Sequence, residues 1–257
     1  MPSSDLGFLQ KSRRHFPLVP AFLFLVCACS VGEGRQGEGA PEEAGVPDPE
    51  LWEGDVEAAT RALRPQEGTE RDWDLFFDLV AKGWEEGLDT LPMGESMVRL
   101  GLAFLGTPYV AGTLEVAGQE DVVVNFEGMD CVTLVENALA LARFLRSNDP
   151  EILVEESQAK EAYRRALREI RYRDARVEGY SSRLHYFSDW IRDNEGKGIV
   201  RELTGELGGR EDLEAIDFMT THPEAYRQLQ DPANVMAIRE IEGELSGLLR
   251  YKIPQGE

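Results

Sequence analysis

The chain has 257 residues, 42% of them apolar, and a formal net charge of −21. That is enough apolar chain to build one sizeable domain or two small ones. The charge excludes a nucleic-acid binder, because so acidic a chain offers little to neutralise a phosphate backbone, and it leaves the fold open.

The N-terminus reads as an export signal. Lys11, Arg13 and Arg14 form a positive region, and Phe16 to Ala28 is an apolar stretch too short to span a bilayer. It ends in Leu25-Val26-Cys27-Ala28-Cys29-Ser30, where a small residue before a cysteine resembles the bacterial lipoprotein signal. Cys29 then becomes the lipidated first residue, although Cys27 departs from the usual pattern. A plain secretory signal or an uncleaved anchor is the alternative. A lipid on Cys29 would tether the protein to a membrane without a spanning helix. Residues 30–68 are rich in Gly, Glu and Pro and read as a flexible acidic linker.

Further along, Arg71 to Glu85 carries Trp73, Phe76, Phe77, Val80 and Trp84 at helical spacing. A second helix follows Met93, with Met97, Leu100, Leu102, Phe104 and Leu105, and ends at Gly106-Thr107-Pro108. Tyr109 to Thr113 reads as an extended or turn segment, and Val122-Val123-Val124 as a short strand. After Gly128, Asp130 caps a helix that opens with Cys131, runs through Val132, Leu134, Val135, Leu139 and Leu141, and stops near Arg146. Residues 156–171 form a charged helix with a solvated face. The stretch from Tyr172 to Asn194 is dense in aromatic and hydrogen-bonding groups. Ile199 to Leu203 is a strand candidate, His222-Pro223 precedes a short helix, and Asn234 to Leu249 is the last helix.

A cysteine in the first turn lies near unpaired backbone N–H groups and the positive end of the helix dipole, which favours thiolate. Once the signal is removed, Cys131 is the only thiol left, so it has no intramolecular disulfide partner. A buried, inert cysteine is the plainer alternative. A cysteine nucleophile needs a base, most often histidine. Outside the signal there are two, His185 and His222. His185 has Arg183, Tyr186, Ser188 and Asp189 close by; either histidine also fits a structural role. No ligand set has tetrahedral metal spacing, and no cofactor motif is present. The scattered carboxylates single out no glycosidase pair.

Several segments together resemble the N-acetylmuramoyl-L-alanine amidase-like family, within the NlpC-type, papain-like cysteine hydrolases of the bacterial cell wall. They are Leu105 to Glu115, then Asp130-Cys131-Val132-Thr133 with Glu136, and Ile170-Arg171-Tyr172-Arg173. Tyr180, Arg183 to Ile191, Phe218-Met219 and His222-Pro223 complete them, and their order and spacing fit from about Leu91 to Pro254. The resemblance implies an α+β, papain-like fold in which Cys131 attacks an amide of peptidoglycan. Segments Gly106–Glu115 and Arg183–Ile191 would line the groove, with Tyr109, Asp130, Arg183 and Tyr186 contacting muropeptide. The family's base is a histidine in an Asp-x-x-His-Val-Gly-like motif on later strands, and this sequence does not contain that motif. The expectation is therefore a hydrolase domain over 69–257, helix-rich and incomplete, with the later sheet strands missing. Under that view His185 becomes a weaker candidate base. The rival expectation is a lipoprotein that binds peptidoglycan fragments without cleaving them. The sequence leaves the oligomeric state open.

Overall fold

A computed structural model describes residues 66–254. The signal, the Cys29 lipidation site and nearly all of the linker lie outside them. Gln66, at the edge of the linker, is already tied in: its side-chain amide donates to the carbonyls of Ala117 and Gln119.

Helix α1 spans Glu70–Glu85. Thr69 caps it through a reciprocal box with Asp72, which satisfies two otherwise unpaired donors. Its inner face buries Phe76 and Val80. Gly83 lies against Leu145, where an added Cβ would fall 2.6 Å from a leucine methyl, so glycine sets how closely α1 approaches its neighbour. Helix α2, Met93–Leu102, begins after Pro92. It ends three residues before the predicted boundary, which leaves Leu102 and Leu105 in solvent.

Helix α3 spans Cys131–Ser147 and α4 spans Glu156–Arg171. The two pack together, and α3 is buried from Ala138 to Ala142 and at Phe144 and Leu145. The apolar run of α3 does not begin in the core. Leu134 is exposed and the two valines are half-buried, because the turn that carries Cys131 lies at the edge of the packed region. The solvated-face reading of α4 holds for only one side. Ala159, Tyr163, Leu167 and Ile170 are buried. The Tyr163 ring stands 4.8 Å from Phe76 and 5.5 Å from Phe126, and Phe144 lies 5.1 Å from Phe76. Each such pair contributes about 0.5–1.5 kcal/mol beyond its buried area.

Neither predicted strand forms. Val122, Val123 and Val124 are buried, but their backbone partners are not a neighbouring strand. Arg164 donates to the Val122 carbonyl, Arg171 to the Val123 carbonyl, and the Val124 N–H to Gln66. At Ile199 and Val200 the chain wraps back onto α5, Phe187–Gly196, where both N–H groups reach the Asn194 carbonyl. The sheet among the described residues is one antiparallel pair. Strand β1, Arg210–Asp212, sits beside β2, Arg250–Lys252, with Glu211 opposite Tyr251. The one-turn helix α6, Phe218–Thr221, precedes His222, and α7 runs over Pro232–Ser246.

Two apolar clusters result. The larger joins α1 to α5 around Phe76, Phe126 and Tyr163. The smaller gathers Tyr180, Met219, Leu229 and Ile238.

Candidate active site

The thiol is positioned by the segment before it. Asn125 folds a local turn in which its side-chain oxygen accepts from the N–H groups of Glu127 and Gly128. Phe126 donates its N–H to the buried Asp72 carboxylate, and Asn137 donates to the Asn125 carbonyl. Met129 then pairs with the loop that follows α2. Its N–H donates to Pro108 at 3.2 Å, and its carbonyl accepts from Val110 at 3.0 Å. This places Tyr109 beside Met129 in a parallel bridge. Gly128 permits the approach, since a Cβ there would meet a Val110 methyl at 2.8 Å.

Asp130 caps α3 as the sequence indicates. Its carboxylate accepts from the Thr133 N–H at 2.8 Å, and the Thr133 hydroxyl accepts from the Asp130 N–H at 2.9 Å. Cys131 is the first helical residue and its side chain is exposed. One turn on, Glu136 is buried and paired with Arg171 at 2.7 Å. The helix start is thereby held from the α4 side as well. An exposed sulfur beside helix-start N–H groups can attack a carbonyl carbon and leave the resulting oxyanion close to backbone donors.

Tyr109 is 71% exposed next to this helix start. Arg183 is buried and Tyr186 half-buried, each tied to other elements. Arg183 is 5% exposed and lies between Glu115 at 2.6 Å and Glu120 at 3.2 Å. Tyr180 donates to Glu115, and Tyr172 donates to Glu120. Burial raises the Glu120 pKa, with Arg183 and the Tyr172 hydrogen bond acting against it. Tyr186 donates to the buried Glu242 at 2.6 Å and accepts from the Met219 N–H. Both side chains join elements of the fold.

His185 is half-buried against the Tyr180 ring, and its Nε2 lies 2.8 Å from the Tyr180 carbonyl. A carbonyl only accepts, so the proton sits on Nε2. Burial, reinforced by the nearby Arg183 charge, holds its pKa well below the usual histidine value. His222 is exposed and stacked on Phe218. Among the described residues no group of three ligating side chains forms a metal site. The residues the sequence reading missed are Asp72, Asn137 and Glu120. The Asn-x-x-Gly spacing at 125–128 and the polar pair Glu136-Asn137 inside an apolar helix were the available signals.

The helix start, the pinned loop and the Arg183 cluster all fall within one matched stretch. The model of the AmiA-like, N-acetylmuramoyl-L-alanine amidase-like family matches residues 99–256, and the chain belongs to that family. Among solved structures it is similar to an N-acetylmuramoyl-L-alanine amidase from Bacteroides uniformis, at 38% identity and a TM-score of 0.55. A second crystal structure carrying the same description gives 37% identity and the same TM-score. In both, the match covers 63% of this chain and 65% of the other, so the chain spans about two-thirds of the length of these relatives. No curated protein matches.

Proposed function

We propose that this protein is a cell-wall amide hydrolase of papain-like fold in which Cys131 is the nucleophile. The exposed position of Cys131 as first residue of the capped helix α3, with Tyr109 held beside it, carries the reading. The sulfur attacks the amide carbon of a peptidoglycan fragment, and the oxyanion forms near the α3 N-terminus. The C–N bond then breaks. The amine leaves with a proton, and the acyl group stays on sulfur as a thioester. Water hydrolyses the thioester, giving a carboxylic acid and restoring the thiol. Asp130 acts by holding the helix start, and the loop at Tyr109 by forming a wall against the ligand. The test is digestion of purified muropeptides by the chain and by its Cys131→Ala variant, followed by mass spectrometry of released peptide. Loss of cleavage in the variant alone supports the reading, and equal cleavage by both overturns it.

A second reading, binding of muropeptides without cleavage, draws on the state of His185. Its Nε2 is committed to a carbonyl and its remaining nitrogen is weakly basic, a poor partner for a thiol. Saturable muropeptide binding with no product from the wild-type chain would favour it.

The proposal keeps the protein exported and held at a membrane by lipid on Cys29. No described helix is long and apolar enough to cross a membrane. Cys29→Ser should move the protein from the membrane pellet to the soluble fraction, and an unchanged pellet would remove the anchor from the proposal.

A further inference from the structure

The other end of α3 borders a cleft of different character. The C-terminal half of α3 and the facing side of α4 border an open hollow of about 540 Å3, lined among others by Arg143, Ser147, Asn148, Arg165, Arg168 and Glu169. Three guanidinium groups against one carboxylate make this lining positive in a chain whose total charge is −21. Along the helix axis Arg143 is about 18 Å from Cys131, at 1.5 Å per residue.

The arginines have bonding capacity to spare. Arg165 has no hydrogen-bond or ion-pair partner among the described residues. Arg168 meets only the exposed Glu161, at 3.5 Å. Arg143 places Nη2 on Glu169 at 2.6 Å, while its Nε is buried with no acceptor. The α3 carbonyls that would repel an anion are partly engaged: Asn148 donates to Phe144, and the Trp84 indole donates to Leu145. An adjoining hollow of about 350 Å3 shares Ala162 and Arg165, so a ligand longer than one anionic group has room to continue.

We propose that this cleft is a binding site for an oxyanion, a carboxylate or phosphate group carried on a larger ligand. Arg165 and Arg168 supply the principal contacts, beside the Arg143 guanidinium that is held by Glu169. Guanidinium forks match the planar geometry of both groups and give short, charge-assisted hydrogen bonds. The site does not depend on Cys131 or its chemistry.

The test is isothermal titration of the intact chain with inorganic phosphate and, separately, with succinate, at fixed ionic strength. Saturable binding of either ligand is expected, weakened about tenfold or more in Arg165→Gln and Arg168→Gln and unchanged in Arg99→Gln, a control on α2. Phosphate binding alone assigns a phosphate-bearing ligand, and succinate binding alone a carboxylate-bearing one. Binding of both identifies a general oxyanion site. No saturable response to either, or the same loss in the Arg99 control, overturns the proposal. Arg165 is exposed and holds no fold contact through its charge, so its variant keeps the test independent of folding.

Discussion

If Cys131 is the nucleophile proposed, Cys131→Ala should end amide cleavage and leave the fold intact. The side chain is exposed, so the stability change should stay within about 0.5 kcal/mol, as read by thermal denaturation beside the muropeptide assay. His185 sets a different expectation. Its folded-state pKa lies below the usual 6.5, so the unfolded chain binds its proton more readily. Its contribution to stability is present above pH 6.5 and declines as pH falls below that value. Glu120 acts the other way, since its raised pKa lets the folded chain take up a proton first. His185→Gln should therefore flatten the acid limb of a stability–pH curve measured by urea melts, whatever it does to the plateau. An unchanged slope would show that His185 does not drive it. The Asp130 cap was legible because a cap acts three residues ahead, within one stretch of sequence. The ties made by Arg183 and Tyr186 were not, because their partners Glu115 and Glu242 lie 68 and 56 residues away.

At the level of elements, the start of α3 is both a structural joint and the candidate site, so damage to it should show in stability and activity together. Asp130→Ala removes the carboxylate that accepts from the Thr133 N–H and hydroxyl and should cost about 1 kcal/mol. Gly128→Ala forces a Cβ into Val110 and should cost about 1–3 kcal/mol. Denaturant unfolding gives both values, and a neutral Gly128→Ala would show that the loop after α2 yields more easily than its contacts imply. Helix positions were readable because spacing and caps are local: α4 was expected at 156–171 and lies at Glu156–Arg171. The strands expected at Val122 and Ile199 misled because β-branched runs only report burial. Their hydrogen bonds go to arginine side chains and to a helix end, which no pattern of hydrophobicity encodes.

Over the whole molecule, a few buried polar ties join elements that the apolar clusters alone would leave adjustable. Arg171 connects α4 to Glu136 on α3 and to the Val123 carbonyl. Arg171→Met strands a carboxylate that is 2% exposed and should cost about 3–5 kcal/mol. The double change with Glu136→Leu should recover much of that loss if the cost is the orphaned charge. The net charge of −21 adds a diffuse strain, since like charges repel in the compact state. Moderate salt should raise the thermal midpoint by screening it, and a midpoint that falls with salt would mean that paired charges dominate. The sequence pointed to a helix-rich α+β domain short of sheet strands, and the sheet among the described residues is one pair of three-residue strands whose pairing, Glu211 opposite Tyr251, joins segments far apart in the chain.

The loop after α2 is fastened twice. Pro108 and Val110 hold Met129 at one end, and Glu115 is gripped by Tyr180 and Arg183 at the other. Between these clamps Thr113 is buried, while Ala111 faces solvent. The span is therefore metered: residues inserted near Ala111 have nowhere to go but outward, and neither fastening needs to shift. A loop of this kind can be lengthened or recoded like a replaceable cassette, altering what may approach the thiol while the helix that presents it stays where it is.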